Sequence, residues 1–190
     1  MILDIIEHVA SLLGNDALLS ECATAKQQQQ AYQMSSEMQK LLYFVNSVNA
    51  ELARHYFPLS FTNAVETDVN GKIMVNSLQR KPFEIKSVED CLGNTFSYEL
   101  FPTYLQLRKP NTMVLVTYFA LPQICESVFE DVECDLRVTE KLLAYGTAAE
   151  YAMSKVLSEE AEIFQTKFLS LIDFAKQKFK IAKMRMRDWV

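Results

Sequence analysis

A chain of 190 residues, 49% hydrophobic and 23% charged, can build one good core or a core with a satellite, and is too apolar to belong among disordered chains. No apolar run approaches the ~20 residues of a membrane span, and Met1-Ile-Leu-Asp-Ile-Ile-Glu7 carries acids where a signal peptide carries cations, so export is not expected. The net charge of −5 is uneven: from Lys167 onward seven basic residues face Asp173 and Asp188, an excess of five that leaves the remainder at −10. Such an end suits an acidic partner or a nucleic acid, or it is the cation-rich end of a surface helix.

In chain order, Ile2, Ile5, Ile6, Val9, Leu12 and Leu13 mark one face of a helix, with Gly14 placed to cap it. Asn15-Asp16 can start a second helix through Leu18, Leu19 and Cys22, followed by Lys26-Gln-Gln-Gln-Gln30, an exposed face or loop. Ser36-Glu-Met-Gln39 fits a capping box, and Met38, Leu41, Leu42, Val45, Val48, Leu52 and Tyr56 follow at spacings of three and four. Pro58 stops this helix, because a residue before proline avoids the α region.

From Phe61 the period changes to two. Residues 62–69 and 72–75 flank Asn70-Gly71, the signal of a type I′ hairpin. Alternating strands follow at 83–88, 95–100 and 104–108, and a β-branched, aromatic strand runs from Met113 to Phe119 before Pro122. Connections too short to hold a helix exclude parallel pairing. The sequence therefore predicts an antiparallel β meander or small barrel spliced into helices.

After the acidic stretch from Ser127 to Leu136, a long helix is predicted from about Thr139. Its buried face is Leu142, Leu143, Gly146, Ala149, Ala152, Met153 and Val156, and its small residues let a neighbour approach closely. Ser158-Glu-Glu can cap a partner helix whose face is Ile163, Phe164, Phe168, Leu171, Ile172, Ala175 and Phe179, forming an αα-hairpin. The class is α+β, mainly α. A helical bundle spans 1–58 and 123–180, an inserted β domain spans 59–122, and a C-terminal tail spans 181–190.

Motifs that carry chemistry are missing: no Gly-rich phosphate loop, no zinc spacing, no nucleophile elbow, and only His8 and His55 for base or ligand work. Cys22, Cys91, Cys125 and Cys134 are scattered and read as reduced thiols of a cytosolic protein. The acidic clusters 130–135 and 159–162 lack the spacing of a cation loop and read as solvated ends. Tyr98, Phe101, Tyr104, Tyr118 and Phe119 could form a base-stacking platform, but with few cations beside them they read as core. No catalytic residue, cofactor or metal is expected.

The order of elements carries a resemblance. A helix ending in Asn49-Ala-Glu-Leu-Ala-Arg-His-Tyr-Phe-Pro58 leads to a β region closing on Val116-Thr-Tyr-Phe-Ala-Leu-Pro122. An acidic connection, Leu143-Ala-Tyr-Gly-Thr-Ala-Ala-Glu-Tyr-Ala-Met153 and Glu159-Glu-Ala-Glu-Ile-Phe-Gln-Thr-Lys-Phe168 complete it. From about Ser36 to Lys176 this resembles the head-to-tail adaptor, or connector, proteins of short-tailed bacteriophages.

The resemblance implies a structural, non-enzymatic subunit of a homo-oligomeric ring, usually a dodecamer, at the virion's head–tail junction after assembly in the host cytoplasm. Its implied partners are the portal protein, further tail components and DNA that passes without sequence-specific contacts. The implied portal-gripping segment runs from Lys180 to Val190. There Met184, Met186 and Trp189 would be apolar anchors, and Lys183, Arg185 and Arg187 would pair with acids. An acidic surplus elsewhere suits a channel wall on which phosphates do not stick. The alternative expectation is a soluble module that binds a small ligand or peptide through the β insert; a third is nucleic-acid binding through the basic end.

Overall fold

The structure, a computed structural model, describes residues 1–182; of residue 30 and residues 178–182 only the backbone is described. It divides into two compact units, one built from Met1–Phe57 with the chain from Gln123, the other from Pro58–Pro122. The fold is α+β and mainly α, with antiparallel strands confined to the second unit.

In the helical unit, α1 (Ile2–Leu12) buries Ile2, Leu3, Ile5, Ile6, Val9 and Ala10. Gly14 (φ +61) then ends it in a Schellman pattern: its N–H donates to Ser11 O and that of Asn15 to Ala10 O. The Asn15 Oδ1 accepts from Leu18 N at 3.1 Å and opens α2 (Asp16–Gln28), which runs well past Cys22 into the glutamines.

For α3 (Ser36–His55) the capping residue is Ser35, not Ser36: its Oγ accepts from Met38 N at 3.1 Å. A serine pair gives the backbone two candidate caps, and the extended φ/ψ falls on the first. Gln39 accordingly stands one place too late to close a box, and its side chain reaches Met34 O. The helix ends before Pro58, as its missing N–H and ring require.

Thr139 caps α4 (Glu140–Ser154) by accepting from Leu142 N at 3.2 Å, and α5 (Ser158–Ala182) returns against it. Gly146 is why the two helices lie so close. A Cβ there would stand 2.6 Å from Val48 Cγ1 and 2.8 Å from Phe168 Cε2.

The buried face of α4 differs from its sequence reading at one end. Met153 and Val156 are 65% and 83% exposed, while Ala148, Tyr151 and Thr147 are buried instead. On α5 the face holds at Phe164, Phe168, Leu171, Ile172 and Ala175, whereas Ile163 is 60% exposed and Ala161 takes the inward place. Helical spacing alone cannot say which edge of a broad apolar stripe meets the partner.

The hairpin turn carries strain. Val156 sits at φ +63, bonded to Met153 O, while Leu157 N donates to Ala152 O. This is the left-handed C′ place of a Schellman motif, which glycine ordinarily fills. For a β-branched side chain it costs about 1–2 kcal/mol. Val156→Gly is expected to stabilise the protein by about 1 kcal/mol, read as a raised melting temperature. Buried Thr147 has the opposite kind of cost: its hydroxyl has no partner among the described residues. Thr147→Val keeps the shape and removes the orphaned group, so a gain of about 1 kcal/mol is expected in denaturant unfolding.

The β unit holds six strands: β1 (Leu59–Glu66), β2 (Lys72–Met74), β3 (Pro82–Glu89), β4 (Tyr98–Leu100), β5 (Tyr104–Leu107) and β6 (Met113–Ala120). They form neither a sequential meander nor a closed barrel. One sheet is ordered β1-β6-β3 and the other β2-β5-β4. β6 alternates its burial, and Val114, Val116, Tyr118 and Ala120 join Ile73, Ile85, Val88, Leu105 and Leu107 in a core shared by both sheets.

Asn70-Gly71 does make a tight turn, but β1 and β2 are not partners. Only Gly71, and not Asn70, has positive φ, so the backbone is not type I′. Asp68 instead anchors the turn, its Oδ1 accepting from Asn70 N and Lys72 N. Glycine is needed at 71 for a second reason: a Cβ would meet Leu107 O at 2.2 Å, where Leu107 N also donates to Gly71 O. The turn thus delivers the chain from one sheet to the other. Strand 95–100 is likewise shorter than its alternation suggests: Thr95 makes one bridge to Glu89 before Tyr98–Leu100 leaves for β5.

Candidate functional site

The functional segment named from the sequence is Lys180 to Val190. The α5 backbone extends to Ala182, so Lys180 stands in its last turn. Lys183, Met184, Arg185, Met186, Arg187, Trp189 and Val190 lie outside the described residues.

What the described chain does present is a pair of exposed surfaces on the helical unit. The first is the side of α5 turned away from Ala161, Phe168 and Ile172. Ile163, Lys167, Ser170 and Phe174 follow there at helical spacing, with Ile163 60% and Phe174 64% exposed. A shallow groove of about 430 Å³ runs beside Ile163, Thr166 and Lys167. Charge is segregated along the helix, with Glu159, Glu160 and Glu162 at its start and cations from Lys167 onward.

The second is the connection from Gln123 to Val138. It has no regular structure, yet it is firmly held. Asn46 on α3 makes a two-way clasp, donating to Cys125 O at 2.9 Å and accepting from Cys125 N at 3.0 Å. Buried Asn49, one helical turn on, donates to Glu133 O at 3.0 Å. The start of α1 donates Ile2 N to Glu130 O and Leu3 N to Val128 O.

The carboxylates of cluster 130–135 are engaged locally. Glu130 Oε1 accepts from Ser127 N, Glu133 Oε2 from Gln123 N, and Asp131 lies 3.2 Å from the N-terminal ammonium. Asp135 takes a fork from Arg137, with Nε at 2.6 Å and Nη2 at 3.0 Å, while the guanidinium covers the Phe57 ring. Burial acts to raise the Asp135 carboxyl pKa. The hydrogen bonds and charge of Arg137 outweigh it, so the group lies below its ordinary range. This fork closes the turn Asp135–Val138, whose tip holds Leu136, 95% exposed.

Among the described residues, groups suited to covalent or metal chemistry are not brought together. The His8 Nδ1 lies 3.9 Å from Glu140 Oε1, and His55 is exposed at the end of α3 beside Tyr56. Among the described residues no cluster of three His, Cys, Asp or Glu could hold a metal ion. All four cysteines are free; burial, with Glu7 and Glu21 nearby, pushes the Cys22 thiol up to about 11 and keeps it neutral. Among the described residues no helix is long and apolar enough to cross a membrane.

The insert's aromatics divide between core and rim. Tyr118 is fully buried, donating its hydroxyl to Asn63 Oδ1 and accepting from Arg80 N. Tyr98 donates to Ile85 O. On the rim Phe101 stacks on Tyr104 at 4.6 Å, and Lys72 lies over Tyr104 at 4.6 Å. Few cations are expected beside these rings from the sequence, yet Lys86 also stands over Phe119, and two further rings of the insert are covered, Phe96 by Lys109 and Phe61 by Arg80. Pairing of β3 with β6 and of β2 with β5, which sequence distance hides, brings Lys86 to Phe119 and Lys72 to Tyr104. An open hollow of about 520 Å³ lies between Asn70, Tyr98, Gln106 and Arg108.

Comparison with protein-family models finds none that matches this chain, and comparison with curated proteins finds no match either.

Proposed function

We propose that this chain is a structural ring subunit of a phage head–tail junction, an adaptor that docks beneath the portal, extends the DNA channel and joins the next tail components. The observation that carries the reading is architectural. A compact antiparallel β unit is inserted between α3 and the acidic connection of a helical bundle, and a 25-residue final helix leads to a basic, Met- and Trp-containing end. Exposed Leu136, Ile163 and Phe174 on the bundle further support a role in assembly, since exposed large apolar groups beside charge are the raw material of protein interfaces.

The proposed portal contacts are Lys180, Lys183 and Arg185 with Arg187 as charged partners, and Met184, Met186, Trp189 and Val190 as anchors. Binding DNA tightly is not part of this role, and the acidic remainder of the chain suits it. A variant ending at Ala182 is expected to melt within about 2 °C of the full chain, because it keeps every residue of the described helical core, from Ile2 to Ala175. It is expected to lose all measurable binding to the portal. Portal binding by the truncated protein at full strength would overturn the assignment of the tail.

A second reading rests on the hollow in the insert, whose mix of Tyr98, Gln106 and Arg108 could hold a small polar ligand or peptide. That module would be a monomer at all concentrations, with a melting temperature raised by its ligand.

A further inference from the structure

The two outer strands of the β1-β6-β3 sheet are unlike at their free edges. On β3 the edge is guarded. Pro82 opens the strand and its register with β6 shifts twice. Ile85 O accepts from the Tyr98 hydroxyl, Val88 O accepts from Phe96 N, and Glu89 bridges to Thr95. β1 has none of these devices. Its eight residues pair with β6 without a shift, and Leu59-Ser-Phe-Thr-Asn-Ala-Val-Glu66 contains no proline, glycine or lysine.

The phase of the ladder fixes which groups the edge offers. Just beyond the strand Thr67 N donates to Thr112 O, in step with the β1–β6 pairs. Leu59, Phe61, Asn63 and Val65 therefore bond to β6, while Ser60, Thr62, Ala64 and Glu66 turn their N–H and C=O groups away from it. Those four residues are exposed, and their outward backbone groups have no partner among the described residues. A row of alternating donors and acceptors at this spacing is the complement of another extended backbone.

We propose that β1 is a strand-addition site, which takes up an extended segment of a partner protein as a fourth strand of this sheet. The edge is a strip about 26 Å long and one strand wide. That is too narrow for the ~800 Å² per side of a standard dimer interface, so it fits a linear segment and not a second folded copy. The side chains along it set the partner's chemistry. Glu66 is exposed and makes no ion pair among the described residues, so a cation suits the place opposite. Ser60, Thr62 and Ala64 are small and uncharged, and suit polar or β-branched neighbours on the outer face. Half-buried Phe61 and Val65, on the core side, suit apolar residues at the alternate positions.

The test uses the full chain and a synthetic peptide, acetyl-Lys-Val-Thr-Val-Thr-Val-Thr-amide, whose antiparallel addition sets its lysine opposite Glu66. Amide hydrogen exchange is followed residue by residue. The peptide is expected to slow exchange at Ser60, Thr62, Ala64 and Glu66 by at least about tenfold, and to leave Phe61, Asn63 and Val65 unchanged. The same peptide with proline in place of its middle threonine is expected to give no protection. Thr62→Pro is expected to fold as the parent does, because the N–H it removes points away from β6, and to gain no protection from the first peptide.

Exchange unchanged by the first peptide would overturn the proposal, as would equal protection by the proline peptide. Four amides already protected without peptide, in a protein that runs as a dimer, would overturn it too, since a second copy would then hold the edge.

Discussion

Gly146→Ala is expected to lower stability by about 2 kcal/mol and the melting temperature by roughly 4–8 °C, although alanine is the better helix former. In an exposed helix the exchange would gain about 1 kcal/mol. Here the new methyl would be built 2.6 Å from Val48 Cγ1 and 2.8 Å from Phe168 Cε2. Both neighbours are buried at 2% exposure and cannot swing aside. Separating α4, α5 and α3 to admit the methyl disturbs packing along several turns, an overpacking cost of about 3 kcal/mol that outweighs the propensity gain. A melting temperature equal to or above that of the parent would mean that the three helices do not meet at this point.

Asn46→Ala is expected to cost about 2–3 kcal/mol and to expose a thiol. The side-chain amide satisfies both the N–H and the C=O of Cys125, a residue only 6% exposed and 79 positions away. Alanine leaves two buried backbone groups without partners, each at about 1–3 kcal/mol before water enters. Burial, with Glu130, Glu133 and Asp131 nearby, raises the Cys125 thiol pKa and holds it neutral. Labelling by a thiol reagent at pH 8 should therefore be slow in the parent and approach the rate of exposed Cys91 in the variant. Slow labelling of Cys125 in a variant of unchanged stability would contradict the clasp.

Much of the helical unit was legible because its signals are local. The spacing of Ile2, Ile5, Ile6 and Val9, the Asn15 cap, the helix start near Thr139 and the stop at Pro58 all act within one or two turns. Strand positions were legible for the same reason, since alternation in Met113–Ala120 marks a pleat with one buried face. Pairing was not. Asn70-Gly71 looks like a hairpin, but Asp68 and the contact of Gly71 with Leu107 send the chain into the other sheet. That choice depends on residues 36 positions apart.

The same limit applies to the surfaces. Leu136 lies in an irregular acidic run with no period to read, and only the fork from Arg137 reveals that it is held outward. Ile163 looked like core because it shares the spacing of Phe164 and Phe168, while its direction is set by where α4 lies. The segment from Lys183 to Val190 has a clear composition, and its role rests on that composition and on the resemblance.

The measurement that bears most directly on the adaptor reading is native mass, taken on the chain alone and after mixing with a portal protein encoded in the same genome. The expected result is a small species alone that becomes a ring-sized complex, with many copies per portal ring. A chain that stays a monomer of about 22 kDa in both samples would contradict it, and would turn attention to the hollow in the β insert.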